Sequence, residues 1–214
     1  MAMAVAACNR RAIIDGARAA LAGGVDPQVA IEEGLMVGLE SVESQFSQKK
    51  IPMLTLATIE YAVRDAREIL LSKTPDGSPL KRRARVVIGI VAGDPHSIGK
   101  TISVAMLSSR GFEVHDLGED VLPDRFVEKA QEVHAEIIAV GTLVLACMRH
   151  QKDVIDILSE KGLRDHHKVV ICGRTEIITP EFAEEIGSDE CGEDIGDLVV
   201  KVQKLADCKD AFDP

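Results

Sequence analysis

Apolar positions recur at two different periods along the chain, and the change from one to the other divides it. From about Asn9 to Ser72 only helical spacing is present. Asp26-Pro27 pairs an N-capping side chain with a proline at the first helical position, and the segment it opens sets Val29, Ile31, Leu35, Leu39, Val42 and Phe46 along one side. A further helix is predicted from Met53 through Leu71, with Leu54, Ile59, Ala62, Ala66, Ile69 and Leu70 facing inward. Three or four short antiparallel helices of this kind form a small bundle.

The pattern breaks at KTPDGSPLKRR (Lys73 to Arg83), where two prolines, a glycine and a basic cluster interrupt it. A helical domain over 1–80 and a second domain over 84–214 are expected on either side. In the second, five apolar runs alternate with amphipathic stretches: RVVIGIVA, FEVHDLG, EIIAVGTL, KVVICG and the short SDECG, each followed by a helical pattern. Continuous β-branched strands separated by helices call for a parallel sheet covered on both faces, so the predicted fold is α/β and doubly wound. Ligands of such sheets lie beyond the carboxyl ends of the strands, where strand order reverses.

Composition narrows the chemistry. Aromatic residues make up 3% of the chain and tryptophan is absent, so the cores are aliphatic and no stacking platform for single-stranded nucleic acid is expected. A formal charge of -10 repels phosphate backbones and anionic membranes, and KRRAR (Lys81 to Arg85) reads as a solvated linker. Neither a nucleic acid nor a membrane is therefore an expected partner. The opening MAMAVAACNRRAIIDG carries its arginines after the apolar stretch, the reverse of a secretory signal, and no run approaches the length of a transmembrane helix. The five cysteines are far apart and contain no C-x-x-C, which fits a reducing cytoplasm better than a disulfide framework or a zinc knuckle.

The loop after the first strand, AGDPHSIGKT (Ala92 to Thr101), carries the most chemistry. A P-loop is excluded because Asp94 occupies the place of its first glycine, and a carboxylate there would repel a phosphate. The dinucleotide fingerprint G-x-G-x-x-G is absent too. His96 instead reads as a metal ligand with Asp94 behind it, since a ligating imidazole usually donates its other ring N–H to a carboxylate. Two residues of separation in a loop permit that contact, and Gly99 lets the next helix start close beneath. The other histidines (His115, His134, His150, His166 and His167) have no second ligand at metal spacing.

GDPHSIGK resembles the D-x-H-x-x-G signature of cobalamin-binding domains, and the stretch from IGKTISVAMLSSRG to DRFVEKA is similar to the corrinoid proteins of methyltransferase systems. The likeness runs on through TPEFAEEIGSDECGEDIGDLVVKV and back into EEGLMVGLESVESQFSQKKIPMLTLATIEYA, which is similar to that family's helical cap domain. The resemblance implies cobalamin as cofactor, working as cob(I)alamin and methylcobalamin, with His96 as lower axial ligand of cobalt in place of the cofactor's own base. Asp94 then bonds the far side of the imidazole, and the rest of the loop, Gly93, Pro95, Ser97, Ile98 and Gly99, lies against the corrin and its tail.

The family's S-x-L is represented by Gly141-Thr142-Leu143, so the serine hydroxyl is missing at the matching position. Strand alternation aims Thr142 at the opposite face, and water or Asp94 alone is expected to complete the relay. The family's Gly-Gly pair, which passes the nucleotide tail, becomes Cys172-Gly173, followed by the polar Arg174-Thr175-Glu176; Cys172 is expected to pack rather than react. On the bundle, Phe46, Met53 and Leu54 are expected near the upper face of the corrin, Glu43 and Gln45 could face the cap's wet side, and Glu119 and Asp120 are candidate contacts to corrin amides. The implied function is a methyl carrier between a substrate-specific methyltransferase and a second one acting on tetrahydrofolate or coenzyme M, with a reductive activator as a further partner. The alternative is a cobalamin sensor or store without methyl transfer.

Overall fold

The computed structural model describes residues 1–71, 83–173 and 178–207, so all but the last residue of the predicted linker lies outside it, as do Arg174, Thr175 and Glu176. The chain forms two compact units, Met1–Lys81 with Ser108–Gly111, and Arg82–Leu107 with Phe112–Pro214.

The first unit is helical: α1 (Ala2–Ala6), α2 (Arg10–Ala22), α3 (Pro27–Val29), a wider π-helical turn over Ala30–Met36, α4 (Val37–Ser47) and α5 (Met53–Leu71). Asn9 caps α2 by accepting from the Ala12 amide at 3.1 Å, and Asp26 accepts from the Val29 amide at 3.2 Å, as the Asp-Pro pair predicts. Along α5, Leu56, Ile59, Val63, Ala66 and Leu70 are all buried, a stripe at alternating spacings of three and four. Leu54 is not part of it and stays 77% exposed, because two residues turn it roughly 200° away from Leu56. Val29 stands in the same relation to buried Ile31 and is likewise exposed, while Phe46 and Ile69 are half-buried. The continuous helix predicted after Asp26 is interrupted by the π-helical turn. Gly34 within it faces Met1, and a Cβ on Gly38 would meet Val5 at 2.4 Å, so glycine at both positions lets α1 lie directly against this segment.

The second unit alternates strand and helix: β1 (Arg85–Ile90), α6 (Ile98–Ser109), β2 (Glu113–Asp116), α7 (Pro123–Val133), β3 (Ile137–Thr142), α8 (Arg149–Glu160), β4 (Lys168–Gly173), α9 (Pro180–Ile186), β5 (Glu190–Gly192) and α10 (Ile195–Asp207). All strand pairs are parallel and the order is β2-β1-β3-β4-β5. Strands β1 and β3 are buried almost end to end, the run-on hydrophobic reading expected of a sheet covered on both faces. Val87, Ile138, Val140, Val169 and Ile171 share one core with Phe126 and Val127 of α7, Val154 and Leu158 of α8, and Ile186 of α9. The alternate positions Val86, Ile88, Ala139 and Val170 are equally buried and point to the opposite layer, which α6 and α10 supply. The reversal of strand order falls between β1 and β3, so the loops leaving these two strands open the crevice expected of a doubly wound sheet.

Candidate functional site

The β1–α6 loop begins with a tight turn. The Asp94 amide donates to the Val91 carbonyl at 3.2 Å, and Gly93, third in the turn, has φ +82°, the value a type II turn requires there. Val91 is itself held on both sides, by its amide to the Gly141 carbonyl at 3.0 Å and by a parallel bridge to Val121. Three loops thus converge: Val91 to His96, Gly118 to Leu122, and Gly141 to Cys147.

Asp94 sits at their junction with no exposed surface. Its Oδ1 accepts from the His96 main-chain amide at 3.0 Å and meets His96 Nδ1 at 2.7 Å; its Oδ2 accepts from Thr142 Oγ1 at 2.7 Å and from the Leu143 amide at 2.6 Å. Burial pushes the carboxyl up, but the bonds from Leu143, Thr142 and His96 together outweigh it and hold the group below its ordinary value. With a carboxylate on Nδ1, the imidazole carries its proton there and turns Nε2 outward as a lone pair. The side chain is 55% exposed, so that nitrogen is accessible to a ligand-seeking metal.

Thr142 corrects the expectation drawn from strand alternation. It is buried, and its hydroxyl points at Asp94, not away from it. As the last residue of β3 it stands where the sheet ends, and Asp94 lies beyond that edge instead of over either face. Gly141 carries no hydroxyl, and a Cβ there would come within 2.8 Å of Ile90 Cδ1 and 3.3 Å of Cys172 Sγ, so a larger residue needs those side chains to shift. The relay is completed by protein, with Thr142 also accepting from the Val144 amide at 3.2 Å.

Lys100, the lysine of Gly99-Lys100-Thr101, is buried and bound to both carboxylate oxygens of Asp116 at 2.5 Å, so it faces the end of β2 and not a phosphate. Gly99 is half-buried in the first turn of α6, and among the described residues a Cβ on it would meet only Ile195 of α10, at 3.9 Å. Glycine here keeps a space open that no described neighbour demands. Gly173 is the reverse case, since a Cβ would fall 2.2 Å from the Thr142 carbonyl oxygen and 2.6 Å from Ile178. Cys172 is half-buried, and burial, with a smaller push from Cys191, raises its thiol to about 12. Pro95 and Gly93 are exposed, Ser97 is half-buried with its main-chain carbonyl accepting from Thr101 Oγ1 at 2.9 Å, and Ile98 opens α6. Met53 is 40% and Leu54 77% exposed, both in the first turn of α5 and both in the helical unit with Phe46.

Sequence reading missed three features. Leu122 and Leu145, 62% and 70% exposed on the converging loops, join Leu143, already a candidate site residue and 38% exposed, in an apolar rim. The Leu143 main-chain amide is a fourth donor to Asp94, which no side-chain pattern announces. Asp120 is bound to Gly93 at 2.7 Å. An apolar residue in a loop, as at Leu122 ahead of Pro123, was the available signal for the first.

The donor set defines what metal could be held. Among the described residues no group of three or more His, Cys, Asp or Glu side chains could hold an ion. One outward imidazole nitrogen suits a metal that already has four in-plane ligands of its own, and an apolar rim suits the edge of a flat macrocycle. The residues present fit a corrin.

Residues 84–198 match the family of B12 binding domains. The chain belongs to the cobalamin-binding corrinoid proteins. It is 38% identical over 205 residues to dimethylamine corrinoid protein 1 of Methanosarcina acetivorans, covering 96% of this chain and 95% of that one. Trimethylamine corrinoid protein 1 of the same organism is 38% identical over 190 residues, 88% of this chain and 87% of that. Among solved structures, a cobalamin-binding protein from Desulfitobacterium hafniense superposes with a TM-score of 0.80 at 27% identity, covering 95% and 96% of the two chains. Among the described residues of this corrinoid protein no helix is long and apolar enough to cross a membrane.

Proposed function

We propose that this corrinoid protein is a methyl carrier. It binds cobalamin with the nucleotide base displaced and His96 Nε2 as the lower ligand of cobalt, and moves a methyl group between a substrate-specific methyltransferase and an acceptor methyltransferase acting on tetrahydrofolate or coenzyme M. The observation that carries this reading is the buried Asp94, held by four donors and fixed on Nδ1 of an exposed imidazole. Bound cobalamin supplies a cobalt centre able to accept and release a methyl group.

The chain's own residues orient and tune. Asp94 keeps the proton of the neutral imidazole on Nδ1 and makes Nε2 a better donor. The Gly99–Ile195 space leaves room for the nucleotide tail, and Gly141 and Leu143 line the same edge. Exposed Met53 and Leu54, with Phe46, offer apolar surface of the kind a cofactor cover needs. Methylated amines are the first donor class to examine, because the relatives at 38% identity are named for dimethylamine and trimethylamine. A reductive activator is a further expected partner.

Reconstitution with cobalamin tests the ligand. Wild type should show a nitrogen-ligated, base-displaced spectrum that His96→Ala loses; identical spectra would overturn the assignment. Methyl transfer is tested by adding a methylamine and its methyltransferase to the reduced, loaded protein. Methylation in proportion to bound cobalamin supports a carrier, and none with dimethylamine, trimethylamine or methanol systems supports a sensor or store.

A further inference from the structure

The Val91–Asp94 turn has a feature that its own chain segment does not secure. A turn of this shape can exist with its central peptide, between Ala92 and Gly93, in either of two orientations, type I or type II, which differ by a flip of about 180°. Only the type II orientation puts Gly93 at positive φ, where it is found. The N–H of that central peptide points out of the turn and meets the Asp120 carboxylate, from the β2–α7 loop, at 2.7 Å. A flip would carry the N–H away and break this charge-assisted bond.

Asp120 is held in an uncommon state to make it. Its φ is +56°, a left-handed position among non-glycine residues, and it is exposed. No burial requires the side chain to be where it is. Directly after it, Val121 is anchored to β1 through its amide to the Ile90 carbonyl at 3.0 Å, which fixes Asp120 beside Gly93.

We infer that Asp120 is a positioning residue for the cobalt ligand: by holding the Ala92–Gly93 peptide in one orientation, it sets the direction in which the chain enters Asp94 and presents His96. It hydrogen-bonds to neither the imidazole nor Asp94, and it acts through the turn. The inference deepens the proposed His96 ligation and rests on it.

The test compares Asp120→Asn, Asp120→Gly and Asp120→Ala. Asparagine keeps an acceptor oxygen and tolerates the left-handed φ, glycine relieves the φ but removes the acceptor, and alanine loses both. The first readout uses no cofactor: Gly93 amide hydrogen exchange should quicken about tenfold or more in the glycine and alanine variants and stay within about threefold of wild type in the asparagine variant. The second is the fraction of cobalamin-loaded, one-electron-reduced protein that shows axial-nitrogen splitting in its electron paramagnetic resonance spectrum. That fraction should fall by half or more in Asp120→Gly and be restored in Asp120→Asn, with the glycine variant's melting temperature near that of wild type. Unchanged Gly93 exchange in Asp120→Gly, or an unchanged axial-nitrogen fraction, overturns the role of Asp120. Wild-type protein whose nitrogen splitting survives His96→Ala, or is absent altogether, overturns instead the His96 ligation and with it this role.

Discussion

Thr142 and His96 hold opposite oxygens of one buried carboxylate, the threonine hydroxyl on Asp94 Oδ2 and the imidazole on Oδ1, each at 2.7 Å. The β1–α6 loop is thereby tied to the end of β3, 48 residues further along the chain from Asp94, through a group with no surface of its own.

Thr142→Val should separate that tie from packing. It preserves shape but removes a donor to Asp94 and an acceptor for the Val144 amide, so it should destabilise the fold by about 1–3 kcal/mol, with Thr142→Ser losing about half of that or less. Urea denaturation of the cofactor-free protein checks the order. A valine variant as stable as wild type would mean that the hydroxyl bonds contribute nothing.

Two glycines at the site should respond oppositely to alanine. Gly173→Ala would drive a Cβ into the Thr142 carbonyl and should destabilise by about 2 kcal/mol or more. Among the described residues Gly99→Ala meets only Ile195, at ordinary contact distance, and it lies within α6, so it should leave stability unchanged or raise it by about 0.5–1 kcal/mol. If the space over Gly99 receives part of the cofactor, the same substitution weakens cobalamin binding. Melting temperatures and cobalamin titrations together distinguish the two effects.

His167 should give the protein an acid-side instability. It is buried, its Nδ1 donates to the Ala135 carbonyl at 2.7 Å, and burial holds its pKa below the ordinary histidine value against that bond. The folded state therefore binds the second proton less readily than the unfolded one. Its contribution is fully present above the unfolded value of about 6.5 and is lost as pH falls through the lower folded value. His167→Gln, which keeps a donor for the carbonyl, should flatten stability against pH just below 6.5. A slope there unchanged from wild type would assign the dependence elsewhere.

The Cys172 thiol, raised to about 12, should resist alkylation in the folded protein at pH 8. Iodoacetamide treatment followed by peptide mass spectrometry should find it modified only after unfolding. Rapid native labelling would show that the β4 end opens more readily than its packing implies.

The His96–Asp94 pair was legible in the sequence because imidazole and carboxylate stand two residues apart, and a loop of that length brings them together under almost any global arrangement. The five strand-helix units were equally legible, since burial on both sheet faces writes unbroken apolar runs. Thr142 was misread because alternation assigns faces within a strand, whereas its partner lies past the strand's end. Asp120 was read as a contact to the cofactor, and its bond to Gly93 depends on how β1 and β2 align.

Local order along the chain determined the helical segment, the parallel α/β unit and the histidine loop, because helical and strand periods and an i, i+2 hydrogen bond involve only near neighbours. Tertiary structure alone decided which groups complete the Asp94 relay and which carboxylate meets the Gly93 amide. Those contacts join loops of three different strands, and their geometry exists only once the sheet has set its register.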